Sequence, residues 1–112
     1  MLRRVGEDGN DAGVTVGQLF IDLAARTVTL DGAEVHLTPI EFGLLRVLAR
    51  HQGKLVTQRQ LLREVWGRGY ETETHYLRVH VAHIRSKIEP EPSQPRYLIT
   101  ESGVGYRLVE AP

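Results

Sequence analysis

The chain has 112 residues, enough for a single domain with one hydrophobic core. Its 41% hydrophobic and 25% charged residues are ordinary for a globular protein, and the absence of cysteine excludes disulfides and thiolate metal sites. No apolar run approaches the roughly 18 residues of a membrane span. The start, Met1 to Asn10, has basic residues but no apolar stretch behind them, so it does not read as a secretory leader, and a cytoplasmic location with no membrane partner is expected. The formal net charge is zero, yet residues 1–41 hold three Lys/Arg against seven Asp/Glu, whereas residues 42–107 hold eleven against six. A basic second half is a weak electrostatic footprint for a polyanion, since solvated charged faces are common.

Residues 1–13, polar and interrupted by Gly6, Gly9 and Gly13, read as a linker or flexible tail. Residues 14–110 form the expected domain. Short β-prone runs follow in order: Val14–Val16, Leu19–Leu23, Arg26–Leu30 and Glu34–Leu37, the last two joined by the hairpin-forming pair Asp31–Gly32. They predict a small antiparallel sheet. Thr38–Pro39–Ile40–Glu41 and Thr57–Gln58–Arg59–Gln60 are Thr–x–x–Glu/Gln sequences, in which hydroxyl and acid or amide reciprocally satisfy the free N–H groups of a helix start. The first opens a helix from Pro39 to about Gln52, stopped by Gly53, with Ile40, Phe42, Leu44, Leu45, Val47 and Leu48 facing the core. Lys54–Leu55–Val56 reads as a short extended link, and the second helix runs from Gln58 to Trp66.

A third helix is predicted over Thr72–Glu89, ended by Pro90, with Leu77, Val81, Ile84 and Ile88 turned inward. Its outward face carries His75, Tyr76, Val79, Ala82 and His83, flanked by Arg78 and Arg85. Tyr97–Thr100 and Tyr106–Val109 flank two glycines and read as a terminal hairpin. The fold class is therefore α+β: a winged helix-turn-helix with an N-terminal antiparallel β-sheet, three helices and a C-terminal β-hairpin wing. A last helix showing arginine, histidine and aromatic side chains to solvent is what a reader of the DNA major groove needs.

Leu37–Thr38–Pro39–Ile40–Glu41–Phe42, Val56 to Leu62, Val65–Trp66–Gly67, the His80–Arg85 segment and Gly103–Val104–Gly105–Tyr106–Arg107 together resemble the effector domain of OmpR/PhoB-type response regulators. His75–Tyr76–Leu77–Arg78 and Thr57 to Leu62 resemble the KdpE-type subfamily, which controls potassium-uptake genes. The resemblance covers about residues 14 to 109. It implies a sequence-specific, double-stranded DNA-binding transcriptional regulator of a two-component system, binding direct-repeat operators as a head-to-tail homodimer. It also implies RNA polymerase, a sensor kinase and a phospho-accepting receiver domain as partners. Nothing before Val14 could form a receiver, so residues 1–13 are expected to include the interdomain linker.

By this resemblance Tyr76, Arg78, Val79 and His83 match base-reading positions. His75, His80 and Arg85 on the same helix, and Trp66, Thr100 and Tyr106 around it, match phosphate-binding ones. The loop Arg68–Gly69–Tyr70–Glu71 matches a polymerase-contact surface. Ser102 and Gly103 form the wing tip. Some relatives carry there an arginine that enters the minor groove; with Ser102 in its place, wing contacts are expected to be weaker and mainly to backbone, and Glu101 to repel phosphates. The chemistry fits: arginine donates twice to guanine, and valine packs on a thymine methyl. Structural alternatives stand beside each role. Tyr76 can pack against a neighbouring helix or the wing, Arg78 can pair with Glu73 or Glu89, His80 can be a satisfied semi-buried histidine, and Trp66 and Tyr106 can be core residues.

Other functions fit less well. A zinc site on His75, His80 and His83 lacks convergent ligands, no cofactor motif is present, and no nucleophile, phosphate-binding loop or carboxylate pair suggests an enzyme. The stronger rival is a winged helix used for protein–protein interaction, because fold alone does not prescribe DNA.

Overall fold

In the computed structural model, which describes residues 13–110, the elements follow chain order. They are β1 (Val14–Val16), β2 (Leu19–Asp22), β3 (Thr27–Leu30), β4 (Ala33–Val35), α1 (Pro39–Arg50), β5 (Val56–Thr57), α2 (Gln58–Val65), α3 (Thr74–Ile88), β6 (Leu98–Glu101) and β7 (Gly105–Leu108). The linker expected over residues 1–13 lies outside the described residues except for Gly13.

The first four strands form an antiparallel meander in the order β1-β2-β3-β4. Alternation places Val14, Val16, Leu19, Ile21 and Val28 in the core. Leu30 pairs with Ala33 across a two-residue turn, in which Asp31 and Gly32 take φ of 54° and 83°. Positive φ at both central residues is the turn that matches strand twist, and Asp–Gly is suited to it.

The helix α1 begins as its sequence predicts. Thr38 Oγ1 accepts the Glu41 N–H at 3.2 Å, and Glu41 Oε1 accepts the Thr38 N–H at 3.0 Å. The second box is only half formed: Thr57 Oγ1 accepts the Gln60 N–H at 3.1 Å, but the Gln60 amide donates instead to Glu64 one turn on, at 2.9 Å. All three helices pack on one another, with Leu44, Leu45 and Leu48 of α1, Leu61 and Leu62 of α2, and Leu77, Val81, Ile84 and Ile88 of α3 buried at the centre.

Element boundaries shift by one or two residues from the sequence reading. The helix α1 stops at Arg50 with His51 as its cap, and α2 stops at Val65 with Trp66 as its cap. The helix α3 starts at Thr74 rather than Thr72, because the preceding residues are bound in a turn, Glu73 N–H to Tyr70 O at 2.9 Å. The segment read as an extended link supplies a strand: β5 pairs with β7, giving a three-stranded wing sheet in the order β5-β7-β6. At the crossing, a Cβ on Gly105 would collide with the Val56 carbonyl and the Thr57 backbone, so only glycine allows the two strands to come this close.

Candidate nucleic-acid interface

The buried stripe of α3 faces α1 and α2, and the 3.6-residue period sends His75, Tyr76, Arg78, Ala82 and His83 to the surface, where all five are exposed. Val79 is half-buried on the same side. Arg78 makes no ion pair or hydrogen bond among the described residues. Its suggested partner Glu89 is occupied elsewhere: buried at the C-cap of α3, its carboxylate accepts the N–H groups of Arg96, Tyr97 and Leu98 at 2.6 to 3.3 Å. The ladder of donors fastens the proline-rich loop under the helix end and starts β6.

Arg85 lies seven residues, about two turns, beyond Arg78, but it is not free in the same way. Its Nε and Nη2 donate to the Leu98 carbonyl at 3.0 and 2.8 Å, and Nη2 also donates to Thr100 Oγ1 at 2.6 Å. The guanidinium stands 5.9 Å from the centre of the Tyr106 ring. Burial lowers its pKa, against the opposing influence of Tyr106 and Glu89. Arg85 is thus a strut between α3 and the wing, leaving Nη1 to point elsewhere. Thr100 keeps its own O–H to donate after accepting from Arg85.

The other flank of α3 is aromatic. Trp66 stacks at a tilt on Tyr76, with centroids 6.2 Å apart, and meets His80 edge-on at 5.2 Å. Tyr70 of the α2–α3 loop lies 6.3 Å from Tyr76. So Tyr76, though 43% exposed, is also packed against its neighbours. The Nδ1 of His80 is 2.8 Å from the Tyr76 carbonyl. A carbonyl only accepts, so Nδ1 carries the proton, and a neutral His80 shows a lone pair at Nε2. A phosphate contact there requires a second proton. Tyr106, at 7% exposure, is a core residue of the wing sheet. Trp66 is half-buried, with its ring in the aromatic cluster.

At the wing, Ser102, Gly103 and Val104 are exposed at the turn. Glu101 does not face phosphates as a bare charge, because Arg107 donates to its Oε2 at 3.2 Å. In the loop before α3, Arg68, Gly69 and Tyr70 are exposed and Glu71 is half-buried. There the Glu71 carboxylate accepts the Gly69 N–H at 2.9 Å, and backbone hydrogen bonds hold it below the usual carboxylate pKa.

One residue near this face has a second role that its local sequence does not announce. Glu41, read as a capping residue alone, also accepts Lys87 Nζ at 2.8 Å and lies 4.0 Å from Nδ1 of His83. Burial would raise its pKa, but hydrogen bonds from Lys87 and Thr38 and the charges of Lys87 and His83 outweigh it and hold the carboxyl below its ordinary value. Lys87 is 46 residues away in sequence, so no spacing rule links the pair. Among the described residues no three His, Asp or Glu side chains converge as a metal site would require, and no helix is long and apolar enough to cross a membrane.

The chain as a whole is similar to known proteins. Residues 32–108 match the family model described as transcriptional regulatory protein, C terminal. The transcriptional regulatory protein KdpE of Mycobacterium tuberculosis is 61% identical over 88 residues, covering 79% of this chain and 39% of that protein. The KDP operon transcriptional regulatory protein KdpE of Escherichia coli is 50% identical over 99 residues, 88% of this chain and 44% of that protein. The chain therefore spans about two fifths of the length of these relatives. The DNA-binding domain of Klebsiella pneumoniae RstA, solved in complex with the RstA box, superposes with a TM-score of 0.78 at 28% identity, covering 88% of this chain and 97% of that one. The Thermotoga maritima OmpR/PhoB homologue DrrB gives 0.79 at 36% identity, over 88% of this chain and 44% of that one.

Proposed function

This chain belongs to the OmpR/PhoB-type C-terminal domain family of transcriptional regulatory proteins, and on that premise we propose that it is the DNA-binding effector domain of a KdpE-type response regulator. The helix α3 lies in the major groove of double-stranded DNA. Arg78 and His83 read base edges with Tyr76 and Val79 beside them, and Thr100 and the remaining N–H groups of Arg85 hold backbone phosphates. Two copies bind a direct repeat head to tail. The genes controlled are those of potassium uptake, the site of action is the cytoplasm, and the receiver domain and sensor kinase act through the rest of the protein. The loop Arg68 to Glu71, with the Tyr70 ring at its surface, is the polymerase-contact candidate.

The observation that carries this reading is Arg78: exposed on the outward face of α3 and unpaired among the described residues. An acid one turn away could pair with an exposed helical arginine; no such pair forms at Arg78 among the described residues, and its donors remain available to an external acceptor. The test is fluorescence anisotropy against a direct-repeat operator and a scrambled duplex at two salt concentrations. Tighter binding to the repeat, weakening with a log–log salt slope of about −0.9 per neutralised phosphate, supports the reading. Equal and salt-independent behaviour on both duplexes would refute it and favour a protein partner.

A further inference from the structure

The three helices do not start alike. Thr38 and Thr57 cap α1 and α2 through their hydroxyls, whereas α3 opens at Glu73 with no side-chain cap. An uncapped start leaves backbone N–H groups without a partner and frays readily. In α3 that start is also the end that a helix-turn-helix reader directs at base edges. Tyr76 sits there, as the third residue of the helix. Aromatic packing stands where the cap would be. The Tyr76 ring lies 6.2 Å from Trp66 at 33° and 6.3 Å from Tyr70 at 41°, both within the range in which aromatic pairs attract. Trp66 is fixed at the end of α2, its N–H donating to the Leu62 carbonyl at 2.9 Å, and His80 closes on its ring edge-on at 5.2 Å. Tyr70 is held by its backbone: its N–H donates to the Gly67 carbonyl at 3.3 Å, and its own carbonyl accepts the Glu73 N–H at 2.9 Å. The turn between α2 and α3 thus delivers one ring onto the first turn of α3. Tyr70 is 40% exposed and Tyr76 43%, so truncating either leaves the core intact.

Resting on the DNA reading above, we infer that Tyr70 is a positioning residue for base recognition: packed with Trp66 against Tyr76, it replaces the missing cap and fixes the base-facing end of α3. Tyr70 acts through Tyr76 and needs no contact with DNA. A Tyr76 ring free to turn would be ordered only on binding, at a similar entropic cost on every sequence. Held by two neighbouring rings, it meets the groove in one orientation and discriminates between base edges. The loop that resembles a polymerase-contact surface thereby acts on DNA specificity as well.

The test uses DNA alone, which keeps polymerase out of the measurement. Anisotropy gives the affinities of the parent, Tyr70→Ala, Tyr70→Phe, Tyr76→Ala and the double alanine variant for the direct-repeat duplex and a series of its single-base-pair changes. Tyr70→Ala should lose preference about two- to tenfold, the loss expected of one aromatic pair, at the same base pairs where Tyr76→Ala loses it. The double variant should lose no more than Tyr76→Ala alone. Tyr70→Phe keeps the ring and should behave as the parent. In the free chain, Tyr70→Ala should speed hydrogen exchange at Leu77 and Arg78 while amides of α1 stay protected. A parent with no preference between duplexes would overturn the DNA reading and this inference together. With a normal parent, a Tyr70→Ala protein unchanged at every base pair, or weakened equally at all of them, overturns the Tyr70 assignment alone. A Tyr70→Phe protein that fails like Tyr70→Ala does the same, since the hydroxyl and not the ring would then be at work. Unchanged preference in Tyr76→Ala removes the residue through which Tyr70 acts, and loss of α1 protection in Tyr70→Ala makes Tyr70 a folding residue; either result overturns the assignment.

Discussion

Arg78 and Arg85 present the same side chain on the same flank of one helix, and their surroundings give them different work. Arg78 is exposed and unpaired among the described residues, so its loss should leave folding unchanged within about 0.5 kcal/mol. Its loss should show in specificity: Arg78→Ala is expected to reduce the preference for operator over scrambled duplex by about 1–3 kcal/mol, read by competition anisotropy. Arg85 holds the Leu98 carbonyl and Thr100 Oγ1 through three donor contacts. Arg85→Ala should cost about 1.5–3 kcal/mol of stability in a denaturant titration, together with affinity for all duplexes alike. Arg85→Lys should restore little, because an ammonium cannot reproduce the guanidinium fork. A stable Arg85→Ala protein that lost only sequence preference would reverse the two assignments.

Among the elements, those with local signals were legible and those defined by a distant partner were not. The start of α1 is written in Thr38 and Glu41, the β3–β4 turn in Asp31–Gly32, and the inward stripe of α3 in the spacing of Leu77, Val81, Ile84 and Ile88. The strand β5 is two residues long and has no periodicity of its own; it exists because Gly105 of β7 lets the Val56–Thr57 backbone approach. Much the same holds at the interface. The exposure of Arg78 follows from helix geometry, but the strut role of Arg85 depends on β6, and the pairing of Glu41 with Lys87 depends on how α1 and α3 cross. Nor does sequence reveal that Glu89, at the end of α3, gathers three successive N–H donors. Two element-level outcomes follow from these contacts. Gly105→Ala should detach β5 from the wing sheet, seen as fast hydrogen exchange at Val56 and Tyr106, which pair across β5 and β7, while amides within α1 stay protected. Glu89→Ala should cost about 3 kcal/mol or more in unfolding free energy, since it strands backbone donors in an apolar setting.

Across the whole molecule, charge is divided between the two ends of the sequence: the acidic excess lies in residues 1–41 and the basic excess in the part that carries α2, α3 and the wing. A polyanion would meet the basic part, so the zero net charge does not weigh against a nucleic-acid partner. Among the described residues, Glu41 is an acid of the first part tied into the second, through Lys87 and His83. That tie has a consequence for stability. The Glu41 carboxyl is depressed in the folded state: burial opposes ionisation, but the Lys87 and Thr38 hydrogen bonds and the nearby positive charges outweigh it. A depressed acid binds fewer protons folded than unfolded, so its contribution is fully present above the unfolded pKa, the ordinary glutamate value of 4.5, and is lost as pH falls through the folded one. The chain should therefore lose stability on acidification below about pH 5. Glu41→Gln should be less stable than the parent at neutral pH, and the difference between them should shrink steadily towards pH 3 or so as the parent carboxyl takes up its proton. Denaturant titrations of both proteins at matched pH measure that difference directly. A gap that stays constant down to the acid limit would mean that the Glu41–Lys87 link contributes through packing and capping rather than through charge.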